Sequence, residues 1–289
     1  MSNPLYALAD AAKGLAQTGP TSQSALSDPT ISPLLMGITA VGTVMLAIWT
    51  IRRIAVPSKL DLATRTSPRP STLTPLHAIV PLILWVLASA VAGHFWGEMP
   101  EILLANVAGQ LAILGSTLAV AHLAFRNGLV RGFGLSTRHW LFDAGRAAMG
   151  TLIAMPIVLV TLSVSRWLIP SDLQRPHDLL VQLPLLPIGW KVVLIVSAVV
   201  LAPLAEETFF RGLLQTMIRR YTRRPWVAIA CASVLFGAVH ASFIQDVPSL
   251  VLLGVVLGYN YERTSRLVAP ILIHAIFNAI MIAEALLMQ

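Results

Sequence analysis

Glu206 and Glu207 are adjacent carboxylates inside the apolar segment Leu201-Ala-Pro-Leu-Ala-Glu-Glu-Thr-Phe-Phe-Arg-Gly. Ionisable groups in such a run are costly, and they normally face a bundle interior or a water-filled cavity. Arg211 follows Glu207 by four residues, so on a helix the two share a face and can neutralise each other. Glu206 projects about 100° away around the axis and is left free to take a proton as a general base. Pro203, just upstream, removes a backbone donor and can kink the helix, opening room for water beside Glu206.

Two later apolar runs also carry spaced polar groups: Phe236 with His240, and His274 with Asn278. Spacing of four puts His274 and Asn278 one above the other on a single helical face. Counting inward at ~1.5 Å per residue, Glu206 lies roughly 20 Å from Arg219, His240 roughly 24 Å from Arg224 and His274 roughly 12 Å from Arg266. These comparable depths predict one buried polar site, entered from the arginine-bearing side.

The elements that must position these groups follow from composition. Of 289 residues, 56% are hydrophobic and 11% charged, against about 25% charged in ordinary soluble domains. Apolar runs over residues 33–51, 76–96, 102–125, 144–169, 190–218, 226–244, 247–262 and 268–287 read as spans. The expected fold class is all-α, a polytopic transmembrane helical bundle of about eight spans. Residues 1–30 read as a flexible tail with at most a short interfacial helix near 5–16. Residues 31–139 then read as N-terminal transmembrane helices with cytoplasmic linkers, and 140–289 as the catalytic transmembrane core.

Charge sorts the loops. Those after the first, third, fifth and seventh runs are rich in arginine, whereas Glu98, Glu101, Asp172, Asp178 and Asp246 lie on the other side. The positive-inside rule makes the arginine side cytoplasmic and puts both termini of this multi-pass cell-membrane protein outside. The net charge of +7 is therefore topological, and no nucleic-acid partner is expected. The expected partners are the bilayer and a membrane protein or peptide substrate.

Other polar groups have simpler readings. His77, His94 and His122 read as interhelical hydrogen-bonding groups, Asn106 and Gln110 as packing glue, Glu284 as reaching the outer interface and Cys231 as a small core residue. The chain has no H-E-x-x-H helix, no aspartate inside a run, and no nucleophile elbow at Ser116 or Ser136.

The ordered blocks E-E-x-x-x-R (Glu206, Glu207, Arg211), F-x-x-x-H (Phe236, His240) and H-x-x-x-N (His274, Asn278) resemble the three motifs of the CAAX prenyl protease and bacteriocin-processing family, also called Abi. The resemblance covers roughly residues 140–285. It implies an intramembrane endopeptidase in which Glu206 and His240 activate water while His274 and Asn278 polarise the scissile carbonyl and hold its oxyanion. Glu207, Arg211 and Phe236 are supporting residues. The residue types agree, since a carboxylate takes a proton and an amide donates to negative charge. Family members are commonly called metalloproteases, and Glu206, His240, His274 and Asn278 could offer zinc an oxygen and nitrogen site. The same side chains can also hold water without metal, and the sequence leaves both readings open. The alternatives are a non-catalytic membrane scaffold or immunity protein, and an ion-coupled transporter, for which no internal repeat is found.

Overall fold

The computed structural model describes residues 31–55, 69–95, 99–135, 139–175 and 183–287. The tail 1–30, Lys59 and Arg65 of the linker, Glu98, Ser136, Arg138, Asp178 and the side chain of His94 lie outside the described residues. Apart from turns, 3-10 segments and one isolated bridge between Ser71 and Phe125, the described chain is helical.

The main helices are α1 (Pro33–Ala55), α2 (Pro75–Phe95), α3 (Met99–Ala124), α4 (Trp140–Leu168), α5 (Ile188–Thr222), α6 (Pro225–Ala238), α7 (Val247–Thr264) and α8 (Val268–Leu287). By length and composition α1, α3 from Glu101 onward, α4, α5 and α8 can cross a membrane, and α2 and α6 are apolar over shorter stretches. Leu123 and Trp167 are 82% and 83% exposed, as outward-facing apolar groups must be when the surrounding solvent is lipid. The molecule is a polytopic α-helical membrane bundle.

The core is continuous between early and late helices. Leu73 and Ile113 pack with Phe209, Phe210, Leu213 and Phe236, while Leu35 joins Met155, Leu257 and Ile273. Local signals set the turns: α5 stops at Arg223, which adopts the left-handed conformation (φ 56°), and Pro225 opens α6 at a position where its missing N–H costs nothing.

Four expectations need correction. The sixth apolar run does not continue as helix to residue 244. It tightens after Ala238, where the His240 N–H bonds Gly237 O at 3.0 Å, and a 3-10 turn (Ala241–Phe243) follows, so His240 stands just past the helix end. Cys231 is exposed, because α6 turns Ala228, Ile229, Ala232, Ser233 and Phe236 inward and leaves Cys231 on its outer face. Glu284 does not simply reach an interface, since it accepts hydrogen bonds from the backbone N–H and hydroxyl of Ser32 just before α1. An aspartate does lie inside a span: α4 begins at Trp140, before the apolar run, and encloses Asp143. Asp143 is fully buried in a two-pronged pair with Arg266 (2.9 and 2.5 Å).

His77 also bonds locally, its Nδ1 meeting the N–H and hydroxyl of Thr74 at the start of α2. Gln110 donates to Asn106 within α3.

Loops after alternate helices gather at the same end. Arg53 at the end of α1 donates to Tyr259 of α7 (2.8 Å), Arg220 of α5 to the Leu73 carbonyl (2.6 Å), and the Leu267 N–H to the Phe133 carbonyl (3.0 Å). At the opposite end Gln245 exchanges hydrogen bonds with both backbone groups of Arg175 (2.6 and 3.3 Å), and Glu284 meets Ser32.

Candidate active site

Helix α5 carries the two glutamates and is not uniformly α-helical. It contains two widened π segments, Ser197–Leu201 and Thr208–Gln215, on either side of the α-helical Ala202–Glu207. Such wide turns occur often at functional sites. The first has a visible cause in Pro203. The Ala202 N–H bonds Ser197 O, five residues back, so in that register Ala198 O would fall to Pro203, which has no N–H. The side chain of Asn278 takes its place: Nδ2 donates to Ala198 O at 2.8 Å and joins α8 to α5. The second segment leaves the Arg211 carbonyl to the Thr216 hydroxyl (3.1 Å), which also meets Tyr261 Oη (3.0 Å).

Glu207 is the hub. Its Oε1 accepts from Arg211 Nη1 at 2.8 Å and faces His274 Nδ1 at 2.9 Å, with Glu207 and Arg211 fully buried and His274 nearly so. Arg211 Nη2 also reaches the Gly254 carbonyl of α7 (3.2 Å). Backbone can come this near only without side chains, because a Cβ on Gly254 would lie 3.0 Å from Ser233 Cβ and one on Gly258 2.7 Å from Gln215 Oε1.

Phe236 joins the remaining groups. Its ring centroid lies 4.6 Å from the Arg211 guanidinium, 5.3 Å from the His240 ring and 5.7 Å from the His274 ring. The site thus brings Glu207, Arg211, Phe236 and His274 into direct contact and seats His240 against the same phenylalanine. Glu206 is buried alongside, its Oε2 without a hydrogen-bond partner, and makes no direct bond to either histidine.

Hydrogen bonding fixes how the imidazoles present themselves. His240 Nδ1 lies 2.9 Å from the Phe236 carbonyl, which can only accept, so Nδ1 carries the proton and Nε2 keeps a lone pair in the neutral ring. His274 Nδ1 faces a carboxylate and is likewise the donor, leaving Nε2 as the outward nitrogen. His240 is half-buried in the turn remote from the arginine-rich end. A cavity of about 380 Å³ lined by Leu173, Arg175, Ala241, Ser242 and Ile244 adjoins that turn, at the end opposite the one from which entry is expected.

As for metal, among the described residues no three His, Cys, Asp or Glu side chains converge as a binding set. His274 offers one nitrogen to a ligand and Asn278 Nδ2 is committed to Ala198 O. The arrangement of the described residues does not fit a zinc centre.

Sequence reasoning missed the polar neighbours. Gln215 donates to the Gly258 carbonyl (3.1 Å) and to Glu262 (3.2 Å), extending the row Glu207, Arg211, Gln215, Arg219 at a period of four. That period, with Gly254 and Gly258 four apart on the facing helix, was a usable signal.

Residues 188–280 match a family model described as Type II CAAX prenyl endopeptidase Rce1-like. The chain is 31% identical over 86 residues to an uncharacterized 24.3 kDa protein of Escherichia coli, covering 29% of this chain and 40% of that protein. It is also 31% identical over 86 residues to the UPF0177 protein YaiF of Lactococcus lactis subsp. lactis (strain IL1403), covering 30% of this chain and 38% of that protein. The chain thus spans about two fifths of the length of these curated relatives. No solved structure matches. The matched segment runs from the start of α5 into α8 and contains every residue of the three motif blocks.

Proposed function

We propose that the protein is an intramembrane endopeptidase that hydrolyses peptide bonds of membrane-associated proteins or peptides, a CAAX-type prenylated chain being the form the matched family's description suggests. One observation carries the reading: three blocks separated in sequence meet around Phe236, with Glu206 unpartnered at one oxygen and both histidines held by Nδ1.

In the proposed reaction a water donates one hydrogen bond to His240 Nε2 and loses its proton to Glu206 as its oxygen attacks the scissile carbonyl. The negative charge that develops on that oxygen meets His274, protonated at Nε2 and held through Nδ1 by Glu207, and the second N–H of Asn278. The proton on Glu206 passes to the amide nitrogen, the C–N bond breaks, and a carboxylic acid and an amine form; the acid's remaining proton passes to the amine, so a carboxylate and an ammonium leave. Glu207, compensated by Arg211, is a positioning residue that accepts from Nδ1 of His274 and fixes the angle of its ring. The arginine-rich end is cytoplasmic and both termini lie on the other side, the side on which the cavity beside His240 opens.

The test is comparative membrane proteomics of cells carrying the wild type and Glu206→Ala, followed by cleavage of the candidate with purified protein. A cleaved form that disappears with Glu206→Ala is expected. Unchanged cleavage by Glu206→Ala overturns the reading.

A further inference from the structure

We propose that the arginine-rich end carries a built site for the phosphate of an anionic phospholipid headgroup, formed by Arg146 of α4 and Arg263 of α7 beside Arg53 of α1. It rests on the membrane fold and not on peptidase activity.

Charge is the first observation. Among the described residues, the carboxylates at this end are Asp143 and Glu262, and both are engaged: Asp143 by Arg266 through two prongs, Glu262 by Gln215 and Arg219. Arg146 donates to a neutral group, the Asn260 side chain (2.8 Å), and its Nε is buried without a hydrogen-bond partner. Arg53 donates to Tyr259 and Arg146 to the adjacent Asn260, one turn before Arg263, so three guanidinium groups gather here; the nearby opposite charge, Asp143, is already held by Arg266. Such a cluster is favourable when an anion sits among the guanidinium groups, whose planar donors match phosphate oxygens.

The surroundings point to lipid as the source of that phosphate. The cluster stands at the termini of three bundle helices, in the last turns of α1 and α7 and the first two turns of α4. Trp49 and Trp226 both pack on Tyr259, whose hydroxyl accepts from Arg53. Aromatic rings of this kind mark the interface. Trp140, Leu141 and Phe142 at the start of α4 are 62%, 67% and 58% exposed, and the Arg146 guanidinium lies 5.8 Å from the Phe142 ring. Apolar surface for acyl chains thus adjoins cationic surface for a headgroup, whereas a free phosphate ion uses only the second.

The test uses full-length protein released from micelles containing equal amounts of phosphatidylglycerol and phosphatidylcholine, with bound lipid counted by native mass spectrometry. Wild type is expected to retain phosphatidylglycerol preferentially. At about 1 kcal/mol per arginine near a charged surface, Arg263→Gln lowers its affinity about fivefold and Arg146→Gln with Arg263→Gln about thirtyfold. Arg131→Gln, an exposed arginine at the same end, leaves it unchanged. Among the described residues Arg263 makes no hydrogen bond, so Arg263→Gln keeps the test usable if the double variant misfolds. Equal retention of the two lipids, or unchanged retention by Arg263→Gln and the double variant, overturns the proposal. Inorganic phosphate binding as tightly as the lipid overturns the assignment to a headgroup.

Discussion

Removing the guanidinium of Arg211 tests whether the Glu207 hub is buried and dry. Arg211 and Glu207 are both fully buried and 2.8 Å apart, and Arg211 also serves Gly254 O. With Arg211→Met, Glu207 keeps only the His274 N–H, and an uncompensated buried charge costs about 3–5 kcal/mol. Losing the donor to Gly254 O adds about 1–3 kcal/mol. Glu207→Gln leaves the opposite charge unpaired at similar cost. Glu207→Gln with Arg211→Met removes both charges while the introduced amide oxygen still accepts from His274, so mainly the Gly254 term remains. The double variant is therefore expected to be more stable than the sum of the single losses by about 3 kcal/mol or more. The assay is reversible unfolding of all four proteins in mixed micelles. An Arg211→Met protein within about 0.5 kcal/mol of wild type, or strictly additive losses, would refute the buried-pair reasoning.

Four further outcomes follow from the same geometry. Glu206→Gln abolishes cleavage while the protein still folds, because Glu206 Oε2 supports no neighbour; equal turnover in the variant and wild type removes Glu206 as the base. Asn278→Ala leaves Ala198 O without a donor and costs about 1–3 kcal/mol. Adding Pro203→Ala supplies a backbone N–H and restores stability but not activity; recovery of both would show that Asn278 only braces the helix. Exhaustive chelation leaves the activity of purified protein intact, and a loss reversed by zinc contradicts the water-activation scheme. Cysteine labelling at Thr222 and at the two chain termini places Thr222 in the cytoplasm and the termini outside, and the reverse pattern overturns the proposed orientation.

Much of the architecture is legible in the chain because lipid punishes polar groups: apolar runs mark the helices, and the few ionisable residues within them mark the candidate site. The period of four between Glu207 and Arg211 implies their pairing from helix geometry alone, and the F-x-x-x-H and H-x-x-x-N blocks indicate which helices must meet. What tertiary structure decided is which group takes which partner. Asp143 finds Arg266 across 123 positions and Asn278 finds Ala198 across 80, and no local pattern encodes either. His274 goes to Glu207 and not to Glu206 because the rotation of α8 against a π-widened α5 sets that choice, and the widening depends on a proline whose effect appears only once its orphaned carbonyl is located. His240 lies beyond its helix, and Cys231 on the outer face, for a related reason. Hydropathy fixes that a segment is buried in the membrane, whereas the end of a helix and the direction each side faces depend on the backbone bonds and neighbours that packing supplies.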